Sequence, residues 1–252
     1  MNQKKVKKAG LRKGGFTFKQ FFFVAHDKCE MKVGTDGVLL GAWAPINNIK
    51  RALDIGTGSG LIALMLAQRA NKVECIDGIE LDEKAALQAT ENAQESQWHS
   101  LIHIYHSDIH HYAEQAQNKY DLIVSNPPYF EPAIACRNDV REQARYTKTL
   151  THEGLLDSAQ LLITEDGLFC VVLPYSIGEQ FIEIAEKKEW NVVKRVNIKD
   201  SADKPYHRIL LAFQRQNQGS VECSIDELII RHNDGHYTDK FQSWVTDFYL
   251  YY

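Results

Sequence analysis

The stretch Leu53-Asp-Ile-Gly-Thr-Gly-Ser-Gly60 joins a strand-like segment to a helical one. The segment Arg51–Ile55 is short and mostly apolar, which is typical of a strand, and the apolar spacing of Leu61–Ala70 predicts a helix. The glycines at 56, 58 and 60 let the chain turn sharply and let a ligand approach the backbone without interference from a Cβ atom. A strand, a glycine-rich turn and a helix in this order predict a parallel α/β fold with a ligand site at the carboxyl end of the strand.

Strand-like and helical segments alternate along the rest of the chain. The strand-like runs are Arg51–Ile55, Lys72–Ile79, Ile102–His106, Asp121–Ser125, Leu168–Leu173, Val192–Ile198 and Arg208–Phe213. Helical patterns separate the first six, and they include Leu61–Ala70, Asp82–Ser96 with Asp82 as its cap, Gly154–Leu162 and Gly178–Lys188. This alternation predicts a doubly wound, mostly parallel sheet of seven strands. The last two strands are joined by 199–206 without a helix, so the seventh is expected to return antiparallel in a terminal hairpin.

The length and composition are those of one α/β domain. The chain has 252 residues, of which 44% are apolar and 25% charged, as in ordinary globular proteins. Ahead of the sheet, the aromatic-rich run Phe16–Val24 predicts one or two strands, and Val38–Trp43 predicts a short helix. The aromatic tail Asp239–Tyr252 predicts a closing helix. We therefore expect a single domain over 16–252, with a short strand and helix extension at 16–48.

The charges are divided unevenly between the first fifteen residues and the rest. The formal net charge is −4, but residues 1–15 hold six basic side chains and no acidic one. The remainder therefore carries 23 basic and 33 acidic residues, a balance of −10. A basic arm of this kind is expected to be flexible, and it serves either to contact phosphate or as a solubilising tail. Its basic residues are Lys4, Lys5, Lys7, Lys8, Arg12 and Lys13.

Several protein classes are excluded by the composition. No apolar run approaches the roughly 18 residues of a membrane span, and the basic N-terminus lacks the apolar core of a secretory signal. The five cysteines are widely spaced without a C-x-x-C pair, which argues against a disulfide scaffold or structural zinc and indicates a reducing, cytoplasmic location. The histidines at 103, 106, 110 and 111 straddle a strand and a helix start, so we expect no metal site. A monomer is the expected oligomeric state, although no sequence pattern fixes it.

The glycine-rich turn differs from the fingerprint of nicotinamide-binding proteins. That fingerprint is G-x-G-x-x-G, whereas here the third glycine comes one residue early and Leu61 occupies the position that should be small. Asp54 at the end of the strand would also repel a pyrophosphate. The spacing D-x-G-x-G-x-G resembles motif I of S-adenosylmethionine-dependent methyltransferases. The resemblance implies S-adenosyl-L-methionine as the cofactor, bound by Asp54, Gly56, Gly58 and Gly60.

Two acidic residues follow the glycine-rich turn at the ends of later strands. Glu80 comes 20 residues after the last glycine of the turn, where a carboxylate can accept hydrogen bonds from both ribose hydroxyls. Asp108 follows the third strand, and the resemblance implies that it accepts from the exocyclic amine of the cofactor. The segment 32–36 is expected to cover the methionine end of the cofactor through Thr35 and Asp36, with a plain turn as the alternative.

The most specific signal is Asn126-Pro127-Pro128-Tyr129, which follows the fourth strand directly. The two prolines fix the backbone and lack amide hydrogens, and the tyrosine offers a flat face for stacking. The side-chain oxygen of Asn126 and the carbonyl oxygen of Pro127 can both accept hydrogens from one planar NH2 group. An adenine amine or a carboxamide is a poor nucleophile because its lone pair is delocalised, and two acceptors draw its nitrogen towards a pyramidal form that can attack. A sulfonium methyl group can then transfer directly, without a metal or a covalent intermediate.

These residues make the chain similar to the tRNA(Val) adenine N6-methyltransferase family, within the amino-methyltransferases that carry an N-P-P-Y motif. The resemblance runs from Gly15 nearly to the C-terminus, and it also includes Phe16–Phe21, Met31–Gly37, Leu39–Trp43, Arg141–Thr147 and His152–Leu156. It implies a class I, Rossmann-like methyltransferase fold. It also implies methylation of the N6 amine of the adenine 3′ of the anticodon in a valine tRNA, with Asn126, Pro127, Pro128 and Tyr129 as catalytic residues.

The residues expected to contact the tRNA are less well defined. Arg141 and Arg145 lie in the insertion after the N-P-P-Y motif, and Lys204 and Arg208 lie in the last hairpin. A solvated surface is the competing interpretation for all four, and the basic arm at 1–15 is a further candidate.

The sequence leaves other functions less well supported than this one. A protein glutamine N5-methyltransferase offers a carboxamide NH2 to the same motif, but such enzymes usually carry an N-terminal helical domain, whereas only 35 or so residues precede the cofactor fold here. A DNA adenine methyltransferase would normally need an additional target-recognition domain. A catalytically inactive binding protein is disfavoured by the intact motif at 126–129, and a dehydrogenase is disfavoured by the glycine spacing.

Overall fold

The computed structural model describes residues 14–19, 23–27, 29, 33–128, 150–216 and 222–249. Its strands are β1 (Gly15–Thr17), β2 (Phe23–Ala25), β3 (Arg51–Ile55), β4 (Cys75–Glu80), β5 (Ile102–His106), β6 (Tyr120–Ser125), β7 (Ile163–Pro174), β8 (Trp190–Lys199), β9 (Tyr206–Arg215) and β10 (Ser224–Ile229). Its helices are α1 (Thr35–Trp43), α2 (Leu61–Arg69), α3 (Glu83–Gln94), α4 (Ile109–Gln115), α5 (His152–Leu162), α6 (Tyr175–Lys187) and α7 (Asp239–Val245). Within the ranges described, no helix is long and apolar enough to cross a membrane.

One large sheet contains eight of these strands, in the order β10-β8-β9-β7-β6-β3-β4-β5. Neighbouring strands are parallel except at β9, which is antiparallel to both β7 and β8. The chain enters the sheet in its middle with β3, adds β4 and β5 on one side, and then adds β6 and β7 on the other. The predicted α/β fold class, the mostly parallel sheet and the antiparallel hairpin are confirmed, and all seven predicted strands are present, but the sheet has eight strands rather than seven.

The eighth strand, β10, was not predicted, and it extends the sheet beyond the hairpin. It pairs in parallel with β8 and forms the edge of the sheet. Its first three residues are exposed, and Asp226 and Glu227 interrupt the apolar alternation that marks a strand. Leu228 is fully buried and anchors the strand to the core. The sequence signal is weak because an edge strand needs few apolar residues.

Side-chain caps fix the starts of several helices. Asp82 accepts a hydrogen bond from the amide of Ala85 at 2.9 Å, which confirms the predicted cap of α3. Thr151 accepts from the amide of Gly154 at 3.0 Å, so α5 begins at His152, two residues before the predicted start. The closing helix α7 ends at Val245, whereas the prediction extended it to the last residue.

The core is divided between the two faces of the sheet. Helices α1, α2, α3 and α7 cover one face, where Val124 and Leu210 are buried, and α4, α5 and α6 cover the other, where Ile123 and Leu211 are buried. Successive strand residues point to opposite faces, so a strand covered on both sides is apolar at every position. This two-sided packing holds the ends of the strands in fixed positions.

The N-terminal extension docks onto the sheet domain. Two strands, β1 and β2, form where one or two were predicted, and they pair antiparallel; Phe18 and Val24 are fully buried. The side chain of Asn92 in α3 accepts from the Ala25 amide at 3.1 Å and donates to the Ala25 carbonyl at 2.8 Å. The hairpin is therefore held by backbone-like hydrogen bonds as well as by apolar packing.

Candidate active site

The carboxyl ends of β3, β4 and β6 lie side by side because β3 is hydrogen-bonded to both of the others. Ile55 is in register with Ile79 of β4 and with Ser125 of β6. This is the point at which the strand order reverses, where parallel sheets bind their ligands. The glycine-rich turn follows β3, Glu80 ends β4, and Asn126 follows β6. The fold therefore brings the three predicted motifs together at the carboxyl ends of these strands.

The glycine-rich turn has the backbone conformation that requires glycine. Gly56, Gly58 and Gly60 all have φ in the left-handed region, at 71°, 56° and 79°. The amides of Gly56 and Thr57 donate to the carbonyl of Ile79 at 2.9 and 3.1 Å, which fixes the turn against the end of β4. A Cβ atom added to Gly56 or Gly58 would meet no atom of the described residues within 4 Å, so both face space that these residues leave open. The turn therefore forms a cradle that a ligand can enter closely.

Glu80 is buried and binds the glycine-rich turn. Its Oε2 accepts from the Gly58 amide at 2.8 Å, and its Oε1 accepts from the Asp82 amide at 3.0 Å. Burial is the main cause that raises the pKa of this carboxyl group, and these backbone hydrogen bonds oppose it. Each carboxylate oxygen can accept a further hydrogen bond, so Glu80 can hold the turn and a pair of ligand hydroxyls together.

Asp54 is the most deeply buried acid of the site. Its Oδ2 accepts from the hydroxyl of Thr57 at 2.6 Å, while its Oδ1 is buried and has no hydrogen-bond partner within the described parts of the chain. Burial raises the pKa of this carboxyl group to about 7 and the negative charge of Glu80 adds to the effect, whereas the Thr57 hydroxyl and the Ala63 backbone amide oppose it. The Oδ1 atom still lacks a well-formed hydrogen bond from the described residues, which indicates a place for a donor from a ligand.

Asn126 presents a second unpartnered acceptor at the same edge. Its Oδ1 is buried and accepts no hydrogen bond from any residue that the structure describes. Just before it, the hydroxyl of Ser125 donates to the carbonyl of Ile55 at 2.9 Å, which ties the end of β6 to the end of β3. Pro127 is buried as well, whereas Tyr129 lies outside the described residues. Asn126 is therefore held next to the glycine-rich turn with an acceptor atom that no described residue uses.

Asp108 serves as the N-cap of α4 in the structure. Its Oδ1 accepts from the amides of His110 and His111 at 2.8 and 3.4 Å. It lies two residues beyond β5, the neighbour of β4, and so at the same edge of the sheet as Glu80. The cap uses one of the two carboxylate oxygens and, among the described residues, leaves Oδ2 for another donor. The contact of Asp108 with the cofactor stays a prediction.

Two residues that the sequence assigned to different ligands are bound to each other. The guanidinium Nε of Arg208 donates to both carboxylate oxygens of Asp36, at 3.0 and 2.9 Å. Asp36 lies in the first turn of α1, and Arg208 lies opposite Pro174 at the end of β7. This ion pair joins α1 to the β8–β9 hairpin beside the site. The pair uses both carboxylate oxygens of Asp36 and the Nε of Arg208, which limits what either can offer a ligand.

The remaining predicted ligand-binding residues divide into two groups. Thr35, at the start of α1, and Lys204, in the turn between β8 and β9, are exposed. The others lie outside the described residues, namely Lys4, Lys5, Lys7, Lys8, Arg12, Lys13, Arg141 and Arg145.

The structure adds residues that the sequence analysis missed. Ser125 and Thr57 position Asn126 and Asp54, as described above. Asn92 also donates to the carbonyl of Ser59 at 2.8 Å, so one side chain joins the glycine-rich turn to the N-terminal hairpin. An asparagine at a buried position among the alanines of α3 was the available signal, because a buried amide needs partners.

The clustered histidines have different partners. His103 lies beside Asp77 and Cys75, His106 contacts the carbonyl of Leu81 at 3.0 Å, and His110 contacts the hydroxyl of Ser158 at 2.9 Å. These three histidines and His111 therefore do not converge on one point.

Comparison with known proteins identifies the family. The family described as "Methyltransferase small domain" matches residues 32–178. The protein named tRNA1(Val) (adenine(37)-N6)-methyltransferase from Proteus mirabilis (strain HI4320) is 83% identical over 253 residues, which is 100% of both chains. Its namesake from Photorhabdus laumondii subsp. laumondii is 60% identical, again over 100% of both chains.

The fold agrees with solved methyltransferase structures. A predicted O-methyltransferase from Agrobacterium tumefaciens superposes with a TM-score of 0.66 at 15% identity, covering 84% of this chain and 96% of that one. A ribosomal protein L11 methylase from Lactobacillus delbrueckii subsp. bulgaricus superposes with a TM-score of 0.51 at 16% identity, covering 72% of this chain and 78% of that one. These likenesses show the fold, whereas the full-length identities show the family. The chain belongs to the tRNA1(Val) (adenine(37)-N6)-methyltransferase family.

Proposed function

We propose that this enzyme transfers a methyl group from S-adenosyl-L-methionine to the exocyclic N6 amine of adenine 37, 3′ of the anticodon, in a valine tRNA. The observation that carries the proposal is the buried Oδ1 of Asn126 beside the glycine-rich turn, which accepts no hydrogen bond from the residues that the structure describes. The names of the relatives that are 83% and 60% identical over their full lengths support the same substrate. A monomer that works in the cytoplasm is part of the same proposal.

The proposed cofactor site is the cradle between the ends of β3, β4 and β5. Gly56 and Gly58 leave room for close approach, which fits a cofactor lying against the backbone. Glu80 would accept from the ribose hydroxyls, and the free Oδ1 of Asp54 would accept from a donor group or balance a positive charge. The roles proposed for the remaining residues are adenine binding for Asp108 and cover of the methionine end for Thr35 and Asp36. When bound, the cofactor supplies an electrophilic sulfonium methyl group.

The proposed mechanism depends on what Asn126 and the prolines do to the adenine amine. The Asn126 Oδ1 and the Pro127 carbonyl would accept the two N6 hydrogens, which localises the nitrogen lone pair and aims it at the methyl group. Pro128 keeps the turn rigid, and Tyr129 would stack on the adenine once the base leaves the anticodon loop. Because the acceptors are needed most in the transition state, their loss should lower turnover more than cofactor binding.

The RNA surface is proposed to lie around this edge of the sheet. Phosphate contacts are assigned to the arm residues at 4–13 and to Arg141, Arg145 and Lys204. Arg208 is a weaker candidate for a phosphate contact than the sequence alone indicated, because the structure pairs it with Asp36. A base flipped from a single-stranded loop reaches the site without duplex opening.

The test is to incubate the purified enzyme with labelled S-adenosyl-L-methionine and separate pools of unmodified tRNA, DNA and translation factors. The expected result is label in the tRNA pool, recovered as N6-methyladenosine at position 37 of the valine tRNA. Label in a translation factor at a glutamine would instead indicate the N5-methyltransferase alternative. Label in no pool, with cofactor binding intact by calorimetry, would contradict the proposal.

A further inference from the structure

A second cluster of chemically active side chains lies near the amino-terminal ends of β4 and β5, at the opposite end of the strands from the glycine-rich turn. Cys75 is the first residue of β4 and Asp77 the third, whereas Glu80 is the last. His103 in β5 is in register with Asp77, so the three side chains project from the same face of two neighbouring strands. Glu80 projects from the other face and lies three residues further along the strand than Asp77. The cluster is therefore separate from the proposed cofactor site.

The three potential donor atoms form a nearly regular triangle. The Sγ of Cys75 lies 3.2 Å from the Oδ1 of Asp77 and 3.5 Å from the Nδ1 of His103. The Nδ1 of His103 lies 3.5 Å from the same Oδ1. Ligand atoms of a tetrahedral zinc ion are separated by about 3.3–3.6 Å, given metal–ligand bonds of about 2.0 Å to oxygen or nitrogen and 2.3 Å to sulfur. An ion beside this triangle could thus bond to all three atoms with shifts of a few tenths of an ångström.

We infer that Cys75, Asp77 and His103 form a binding site for one Zn²⁺ ion, with water as the fourth ligand. A sulfur, an imidazole nitrogen and a single carboxylate oxygen suit zinc, whereas Mg²⁺ and Ca²⁺ take oxygen ligands. His103 is 51% exposed, which gives the ion and the water access from solvent. On binding, the thiol of Cys75 loses its proton to the solvent and the imidazole binds as the neutral ring.

Outer contacts hold the carboxylate of Asp77 in the orientation that the site needs. Its Oδ2 accepts from the hydroxyl of Tyr120 at 2.6 Å and from the Nη2 of Arg51 at 3.2 Å. Tyr112 in α4 lies 2.6 Å from the Tyr120 hydroxyl and extends the network. Such outer hydrogen bonds are a regular feature of metal-binding carboxylates, and here they leave Oδ1 facing the other two ligands.

The charge of Arg51 does not prevent a divalent cation from binding. With Cys75 as a thiolate, the ligands carry two negative charges, and Arg51 cancels one of them. The remaining negative charge favours the cation, and Arg51 contacts the carboxylate oxygen that the ion does not use. The guanidinium lowers the affinity below that of a site with two uncompensated anions, so we expect reversible binding.

The inferred ion would join the edge strand β5 to its neighbour β4. Among the described strands β5 has one hydrogen-bonded neighbour, β4, so a bond between His103 and residues of β4 adds a second link between these two strands. The expected consequence is a higher melting temperature when zinc is present. Methyl transfer should not depend on the ion, because the cluster does not touch the proposed cofactor site.

Cobalt titration of the full-length, chelator-treated enzyme tests the inference. Co²⁺ replaces Zn²⁺ in such sites and shows thiolate-to-metal charge-transfer absorption. The expected result is one Co²⁺ per chain, displaced by Zn²⁺, and a melting temperature that rises with either ion. Cys75→Ser should abolish the thiolate absorption, and His103→Ala should weaken binding by about tenfold or more.

Matched variants decide the outcome. Cys223→Ser and His111→Ala remove a cysteine and an exposed histidine elsewhere, and both should bind Co²⁺ as the unaltered enzyme does. His103→Ala removes a half-exposed side chain, so it decides the question even if Cys75→Ser fails to fold. The inference is overturned if the unaltered enzyme shows no thiolate absorption with Co²⁺, or if the absorption and affinity persist in His103→Ala.

Discussion

At the scale of single residues, the buried Oδ1 of Asn126 has no partner in the described part of the chain, so Asn126→Ala removes an acceptor without leaving a protein donor unpaired there. We expect turnover to fall by about 100- to 1,000-fold, as when one transition-state hydrogen bond is lost from an active site. Cofactor affinity should stay within about twofold, because the acceptor is needed in the transition state. Single-turnover methylation and calorimetry measure the two effects.

Asn118→Ala is the matched control for that experiment, since Asn118 is exposed ahead of β6. It should methylate at the normal rate. Near-normal turnover by Asn126→Ala would rule out the direct transfer mechanism proposed here. Tyr129→Phe and Tyr129→Ala extend the test, because stacking on the adenine should survive the first change and be lost with the second.

Glu80→Ala should weaken cofactor binding by about 1.5–3 kcal/mol, the loss expected for hydrogen bonds to a charged group. Two causes act together: the ribose loses its acceptor, and the amide of Gly58 loses the partner that fixes the glycine-rich turn. Calorimetry with S-adenosyl-L-methionine measures the change, and Glu74→Ala, which removes an exposed acid just before β4, should have no effect. Equal affinities of the two variants would contradict the assignment of Glu80.

Asp54 should make stability depend on pH. Burial raises the pKa of its carboxyl group to about 7, above the ordinary value of 3.8, so the folded state holds the proton more tightly than the unfolded state between these values. Stability from this group is therefore fully present below about pH 4 and is lost as the pH rises to about 7, by up to about 4 kcal/mol. Asp54→Asn cannot lose a proton, so its stability relative to the unaltered enzyme should increase from pH 5 to pH 8.

Urea unfolding of both proteins at the two pH values measures this difference, and the comparison cancels the contributions of other groups. Glu80 shifts in the same direction but is present in both proteins. Saturating cofactor should reduce the difference if a positive or hydrogen-donating group of the cofactor meets Oδ1. A stability difference that is the same at pH 5 and pH 8 would mean that Asp54 is ionised at both.

At the scale of elements, the ion pair between Asp36 and Arg208 joins α1 to the β8–β9 hairpin. Arg208→Ala should lower the free energy of unfolding by about 1–3 kcal/mol, because it leaves a half-buried carboxylate without its partner. The reversed pair, Asp36→Arg with Arg208→Asp, should recover part of that loss in urea unfolding. If Arg208 instead contacts phosphate, the reversed pair should not recover tRNA affinity. Lys204→Ala, which leaves the ion pair intact, should then lower tRNA affinity as Arg208→Ala does.

The sequence predicted the elements whose signals are local. Glycine spacing, strand-like runs and caps such as Asp82 depend on neighbouring residues, and β3 to β9 formed as expected. The edge strand β10 was missed because its stability comes from pairing with β8, which no local pattern reports. The Asp36–Arg208 pair was missed for the same reason, since 172 residues separate its partners along the chain.

The residues of the candidate site also differ in whether a local sequence signal reveals them. The acceptor of Asn126 and the acid Glu80 could be found from their motifs, because each follows a strand whose end is fixed by the sheet. Ser125 and Asn92, which hold these parts in place, act through contacts between strands and helices that are distant in sequence. The cluster of Cys75, Asp77 and His103 could likewise not be found from the sequence, because its side chains come from two strands that become neighbours only in the folded sheet.

At the scale of the whole molecule, the net negative charge of residues 16–252, the body of the enzyme, opposes RNA binding. Residues 16–252 carry 23 basic and 33 acidic side chains, whereas residues 1–15 carry six basic ones and no acid. A body of this charge repels RNA at long range, and the repulsion is strongest at low salt. Local positive segments must therefore supply the attraction, and the arm is the densest of them in the sequence.

Removal of the arm tests whether it contributes to tRNA affinity without contributing to methyl transfer. If its six basic residues neutralise about three to five phosphates, a chain that starts at Gly14 should bind tRNA with a slope of log affinity against log salt that is flatter by about 2–4. Cofactor affinity and turnover at saturating tRNA should be nearly unchanged, because in the proposed mechanism the adenine is flipped into the site at the carboxyl ends of the strands and the arm takes no part in that step. An unaltered salt slope would make the arm a solubilising tail and would assign the phosphate contacts to Arg141, Arg145 and Lys204.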